Sequence, residues 1–140
     1  MDYDELAQVF NDSYERVMNA PGGEFFLAFY DLLTANSPEA ASKFRNTDME
    51  KQVRVLKSSV AILLSFYGSG YRDDNYLQKL AERHSKRCLD ISPRLYSVWL
   101  DNLIETVRRF DSRFNEDIET AWRGVFSKGI EFMTSRYEEG

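Results

Sequence analysis

Histidine and cysteine are almost missing from this chain, with one of each in 140 residues. A zinc site built from several His, or from four Cys, is therefore excluded, and so is an intrachain disulfide. Glycine is sparse at seven residues. None of it forms a phosphate-binding loop, and Gly22-Gly23 reads as a helix break. No apolar run approaches the ~18 residues of a membrane span. Basic charge is outnumbered, 18 Lys and Arg against 23 Asp and Glu for a net charge of −5, so there is no nucleic-acid footprint. Met1-Asp2-Tyr3-Asp4-Glu5 is acidic where a signal peptide would be basic. A reducing cytoplasm is the expected location, with no membrane and no nucleic-acid partner. Alternating strand patterns and internal repeats are also missing.

What remains points to helices. The length suits one domain, read here as residues 1–140, with a sizeable core. Aromatics reach 14%, with ten Phe and eight Tyr. They suit either a flat-walled pocket or an aromatic core. Leu6, Val9, Phe10, Ser13 and Val17 share one helical face, and Pro21-Gly22-Gly23 breaks that helix. Phe25, Phe26, Phe29, Tyr30 and Leu33 continue at the same spacing. Ser37-Pro38 predicts a capped short helix ending near Phe44. Thr47-Asp48-Met49-Glu50 has the form of a capping box. It opens a helix through Met49, Val53, Leu56, Val60, Leu63, Leu64 and Tyr67, with a loop expected over 68–73. Ser92-Pro93 starts a helix bearing Tyr96, Trp99, Leu103 and Val107. Asn115-Glu116-Asp117 places a cap and two acids at the positive end of the last helix. Ile118, Trp122, Val125, Phe126, Gly129, Ile130 and Met133 line its buried face. A frayed end is expected at Glu138-Glu139-Gly140. The predicted class is all-α, with about seven helices.

His84 is the residue that carries chemistry. Leu77, Leu80, Ala81 and His84 follow an i, i+3, i+4, i+7 spacing, so the imidazole falls on the apolar face of its helix. Locally that fits a core histidine bonded to a carbonyl as well as a metal ligand. Cys88 lies four residues on, and a small hydrophobe suits it better than a nucleophile, since no third orienting group is suggested. Asp73-Asp74 reads as a solvated turn, with no further ligand pattern for calcium. Arg83, Lys86 and Arg87 form a basic cluster around His84.

The order of these segments resembles a bacterial single-domain globin, and the haem domain of flavohaemoglobins, over nearly the whole chain. Phe29-Tyr30-Asp31-Leu32-Leu33 is similar to the second-helix motif whose tyrosine faces the distal side of haem. Phe44, fourteen residues later, matches the phenylalanine that stacks on the porphyrin. Asp48-Met49-Glu50-Lys51-Gln52 is similar to the start of the distal helix, which gives Gln52 the ligand-facing position. Lys79-Leu80-Ala81-Glu82-Arg83-His84, then Ile91-Ser92-Pro93-Arg94-Leu95-Tyr96, looks like the proximal helix and its exit. The ordered set is specific; no single stretch is.

The resemblance implies a haem b cofactor with His84 as the axial iron ligand. It implies Tyr30 and Gln52 as distal hydrogen-bond donors, Leu56 and Val55 as distal wall, Leu80 beneath the porphyrin and Tyr96 near the proximal histidine. Arg87 is the expected partner of a haem propionate; the alternative for the whole basic cluster is a solvated face. In the resembled family the tyrosine matching Tyr96 pairs with a glutamate of the last helix. Counting from Trp122, Tyr137 stands there instead, and Glu131 is a turn and a half too early. The implied function is reversible binding of dioxygen, nitric oxide or carbon monoxide, for storage, delivery or scavenging. A gas sensor acting through a partner protein is the alternative. Nitric oxide turnover would need an external reductase. Either a monomer or a homodimer built on the last two helices fits.

Overall fold

The structure is a computed structural model that describes residues 1–21, 23–69 and 75–138, with the side chains of residue 69 and of 75–77 left aside. Gly22, the Asp73-Asp74 turn, the side chain of Leu77 and the Glu139-Gly140 end lie outside the described residues. Seven helices are present among the described residues: α1 Tyr3–Asn19, α2 Phe25–Asn36, α3 Pro38–Lys43, α4 Met49–Ser69, α5 Asn75–His84, α6 Pro93–Phe110 and α7 Glu116–Ser135. No strand forms among them. Nor, among them, is any helix long and apolar enough to cross a membrane.

The helix starts follow local chemistry. The Asp2 carboxylate accepts from the Glu5 N–H at 2.9 Å. Ser37 Oγ accepts from Ala40 at 3.1 Å, with Pro38 in the first turn. Asn115 Oδ1 accepts from Ile118 at 2.9 Å. Each satisfies a backbone donor that the first turn leaves over. At α4 the outcome differs from the capping box. Asp48, not Thr47, takes the cap, accepting from Glu50 at 3.1 Å and Lys51 at 3.2 Å. A carboxylate there also faces the positive helix end. Ser92 makes no side-chain cap; its hydroxyl donates to Glu39 Oε2 at 3.2 Å instead. Gly68 lies inside α4 rather than in the expected loop.

The predicted faces are the buried ones. Leu6, Phe10, Ser13 and Val17 of α1, and Phe25, Phe26, Phe29, Tyr30 and Leu33 of α2, are all buried. α1 packs on α7, α2 on α6, and α4 and α5 on α7. Phe10, Phe25 and Phe126 surround Trp122 with ring centroids 4.8, 5.7 and 6.2 Å away. Aromatic pairs at such spacings add about 1 kcal/mol each beyond burial. Gly129 lets α7 approach α4 closely. A methyl there would come within 2.5 Å of Leu63 Cδ2, so even Ala would force Leu63 toward the central cavity.

One buried polar network ties three elements. Asp111, just past α6, accepts from Ser13 Oγ at 2.6 Å and from Arg16 Nε and Nη2 at 2.7 and 3.0 Å. The Arg113 N–H donates to it at 2.9 Å. Trp122 Nε1 in turn donates to Ser13 Oγ at 2.9 Å. Burial alone would raise the Asp111 carboxyl. The Arg16, Ser13 and Arg113 hydrogen bonds, with the Arg16 charge, outweigh it and hold the group below the ordinary 3.8. This network anchors the end of the bundle that lacks the cavity.

Candidate functional site

A cavity of about 260 Å³ lies between α4 on one side and α5 on the other, with α2, α6 and α7 behind. Its walls are mainly apolar and aromatic, and Leu33, Leu56, Leu63, Leu95, Trp99 and Phe126 are among them. Trp99 is held edge-on to Phe29 with centroids 5.2 Å apart, and tilted against Phe126 at 5.5 Å. These contacts fix flat walls for a flat ligand.

His84, the last residue of α5, faces this cavity. Its Nδ1 lies 2.8 Å from the Leu80 carbonyl. A carbonyl can only accept, so Nδ1 carries the proton and donates. Nε2 of the neutral ring is then left with its lone pair. Burial, with a further effect of the neighbouring Arg83 charge, holds the imidazole below its ordinary pKa despite that hydrogen bond. The neutral form is the one that ligates a metal. The carbonyl bond of a core histidine is present, and it leaves the ring in the tautomer whose Nε2 can ligate a metal. Among the described residues no three His, Cys, Asp or Glu converge to hold a metal ion. A metal at His84 therefore needs its other ligands from a group bound as a whole, as a macrocycle would supply.

Tyr30 and Gln52 also line the cavity, and α2 and α4 bring them together. Gln52 Nε2 donates to the Tyr30 hydroxyl oxygen at 3.2 Å. The Tyr30 proton is then left to donate into the cavity, because a phenol has a single O–H. Burial pushes Tyr30 up to about 12, against a small opposing effect of the Gln52 hydrogen bond. It is a neutral donor throughout the physiological range. Phe44 meets Tyr30 edge-on at 5.3 Å and lines the cavity. Leu56 is a buried wall, and Val55 lines the rim with 42% exposure. Leu80 and Tyr96 line the wall near His84.

Arg87 is not brought to the cavity. It is exposed, and the basic side chains that line the opening are Arg83 and Lys43. His84 closes the helix, so the three-residue step to Arg87 does not continue the helical face. Tyr96 sits 6.5 Å from the His84 ring and is raised well above its ordinary pKa by burial. Among the described residues its hydroxyl meets the Met133 thioether, at 3.9 Å, and no carboxylate. Tyr137 turns away and bonds Asp90 through its hydroxyl. Lys43, Trp99 and Met133 are lining residues that sequence reasoning did not place, while Arg83 belonged to the basic cluster it singled out. Arg83 and Lys43 adjoin His84 and Phe44 in sequence, which was the available signal. Trp99 and Met133 carried only the pattern of ordinary core.

No protein-family model matches this chain, and no curated protein matches it. A solved structure does. It is the crystal structure of a protein from Pseudomonas aeruginosa PAO1, reported as structurally highly homologous to a human haemoglobin. That protein is 34% identical, with 95% of this chain and 98% of that one covered and a TM-score of 0.85. The chain belongs to the globin family. A globin fold implies a haem site, and this globin's cavity fits one. It offers a neutral imidazole with a free lone pair, flat apolar walls and two basic side chains at the opening. Val55 and Leu89, 42% and 51% exposed, are large apolar side chains at its rim.

Proposed function

We propose that this globin holds haem b through His84 and binds dioxygen or another diatomic gas reversibly on the side of Tyr30 and Gln52, in the cytoplasm. The observation that carries the reading is the pair of opposed polar groups in one apolar cavity. His84 offers a lone pair from one wall, and the Tyr30–Gln52 couple offers a proton from another. Bound haem supplies an iron with one coordination position open to a gas. The remaining work belongs to the chain. The Leu80 carbonyl fixes the His84 tautomer and ring direction. Gln52 orients the Tyr30 hydroxyl, whose proton favours a polarised ligand such as dioxygen over a less polar one such as carbon monoxide. Leu56 limits the space beside it. Lys43 and Arg83 suit the two carboxylates of haem b.

One hydrogen bond of this kind contributes about 1–2 kcal/mol, or about tenfold in affinity. Tyr30→Phe should therefore speed dioxygen release by about tenfold and change carbon monoxide release much less. Stopped-flow release rates for both gases check this. Equal changes for the two gases would mean that Tyr30 acts by bulk alone.

A further inference from the structure

The charges of this chain are sorted by position. Residues 43–57 and 79–94, which carry the cavity opening, hold ten Lys and Arg against four Asp and Glu, while the other 109 residues hold eight against nineteen. In a protein of net charge −5, these two segments thus carry +6, against −11 on the rest of the sequence. Within the two segments Lys57, Lys86 and Arg94 are paired with Glu24, Glu138 and Glu39. Away from the opening, Arg16, Arg108, Arg109 and Arg123 are each held by a carboxylate. Among the described residues, neither Lys43 and Arg83, which line the cavity, nor Arg45, Lys51, Arg54 and Arg87, exposed on the same two segments, form an ion pair. The two carboxylates of a haem would engage at most two of these six. Between them the rim shows apolar surface, Val55 and Leu89.

We infer that this rim is the docking face for an acidic one-electron carrier protein, of the flavin or iron–sulfur class, which returns ferric iron to ferrous. The inference rests on the haem reading above. The step is a transfer of one electron from the reduced carrier to ferric iron, with no atom exchanged. Unpaired basic side chains beside an apolar rim steer an acidic partner and raise its association rate by about 10- to 1,000-fold. The docked partner lies over the opening, where its electron has the shortest path. A small protein reads only this rim.

The test uses the haem-loaded full chain in its ferric form, mixed with reduced flavodoxin as the acidic carrier. Reduction is followed by absorbance. The expected rate falls steeply from about 0.02 M to about 0.3 M salt, as screened attraction requires. Lys51→Glu with Arg54→Glu should slow reduction about tenfold or more at low salt. Arg108→Glu with Arg109→Glu carries the same charge change on α6, ~18 Å along the helix from Tyr96, and should change the rate less than about twofold. Reduction by dithionite should be alike in all three proteins. A rate indifferent to salt, or equal loss in both double variants, overturns the inference. So does binding to phosphatidylglycerol vesicles that Lys51→Glu with Arg54→Glu abolishes while flavodoxin reduction is unchanged. A chain that takes up no haem would instead defeat the haem reading on which the inference stands.

Discussion

At the scale of single residues, the site rests on two hydrogen bonds that decide who donates. Leu80 forces the proton onto His84 Nδ1, and Gln52 leaves the Tyr30 proton free to point inward. The second has a pH consequence. With Tyr30 pushed up to about 12, its proton is lost only as pH rises through that value. Dioxygen release should therefore be flat between about pH 6 and 10, since less than about one phenol in a hundred ionises at the upper end. Release rates across that range check it. A tenfold rise near pH 9 would show that the donor is not this buried phenol. Helical spacing put His84 on an apolar face, while Tyr30, Gln52, Phe44, Leu56, Val55, Leu80 and Tyr96 were reached through the resemblance to globins; all eight line the cavity. Of the basic cluster around His84, Arg83 rather than Arg87 lines the cavity, because the helix ends at His84 and Arg87 lies in the segment beyond it. The Met133 thioether against Tyr96 was out of reach, since it depends on how far α7 slides along α6.

At the scale of elements, six of the seven helix starts lay near Ser, Asn, Asp or Pro signals, and the buried faces followed from period alone. What sequence did not reveal was how the pieces are tied. The segment after His84 is one example. Lys86 N–H donates to the Tyr137 carbonyl at 2.9 Å, Lys43 Nζ to the Leu89 carbonyl at 3.1 Å, and Asp90 adopts a φ of 53°. All are long-range choices that spacing cannot encode. The Asp111 network is another. Asp111→Ala leaves Ser13 and Arg16 without their acceptor and should cost about 3 kcal/mol, because breaking a buried pair strands its partner. The folded pKa is held below 3.8, so this contribution is present above that value and lost as pH falls through the folded one. Urea unfolding of both proteins near pH 7 and near pH 3 checks the prediction. The gap should narrow at the lower pH; a gap that is constant or widens contradicts the assignment.

At the scale of the whole molecule, the globin fold brings His84 and the Tyr30–Gln52 pair to the same cavity from different helices. The 140 residues hold no glycine-rich nucleotide loop, so nicotinamide has no place to bind by that device. Nitric oxide consumption by the gas-loaded protein with NADH alone should therefore stop after about one equivalent and resume when a carrier and its reductase are added. An electrode trace checks this, and many turnovers with NADH alone would make the chain self-sufficient. The central claim is narrower: one imidazole holds the haem. Titrating the haem-free protein and His84→Ala with haem, and reading the Soret band of each after reduction, tests it most directly. The parent should bind one equivalent with a five-coordinate ferrous spectrum, and His84→Ala should bind weakly with an altered band. A normal five-coordinate ferrous spectrum in His84→Ala would contradict the account.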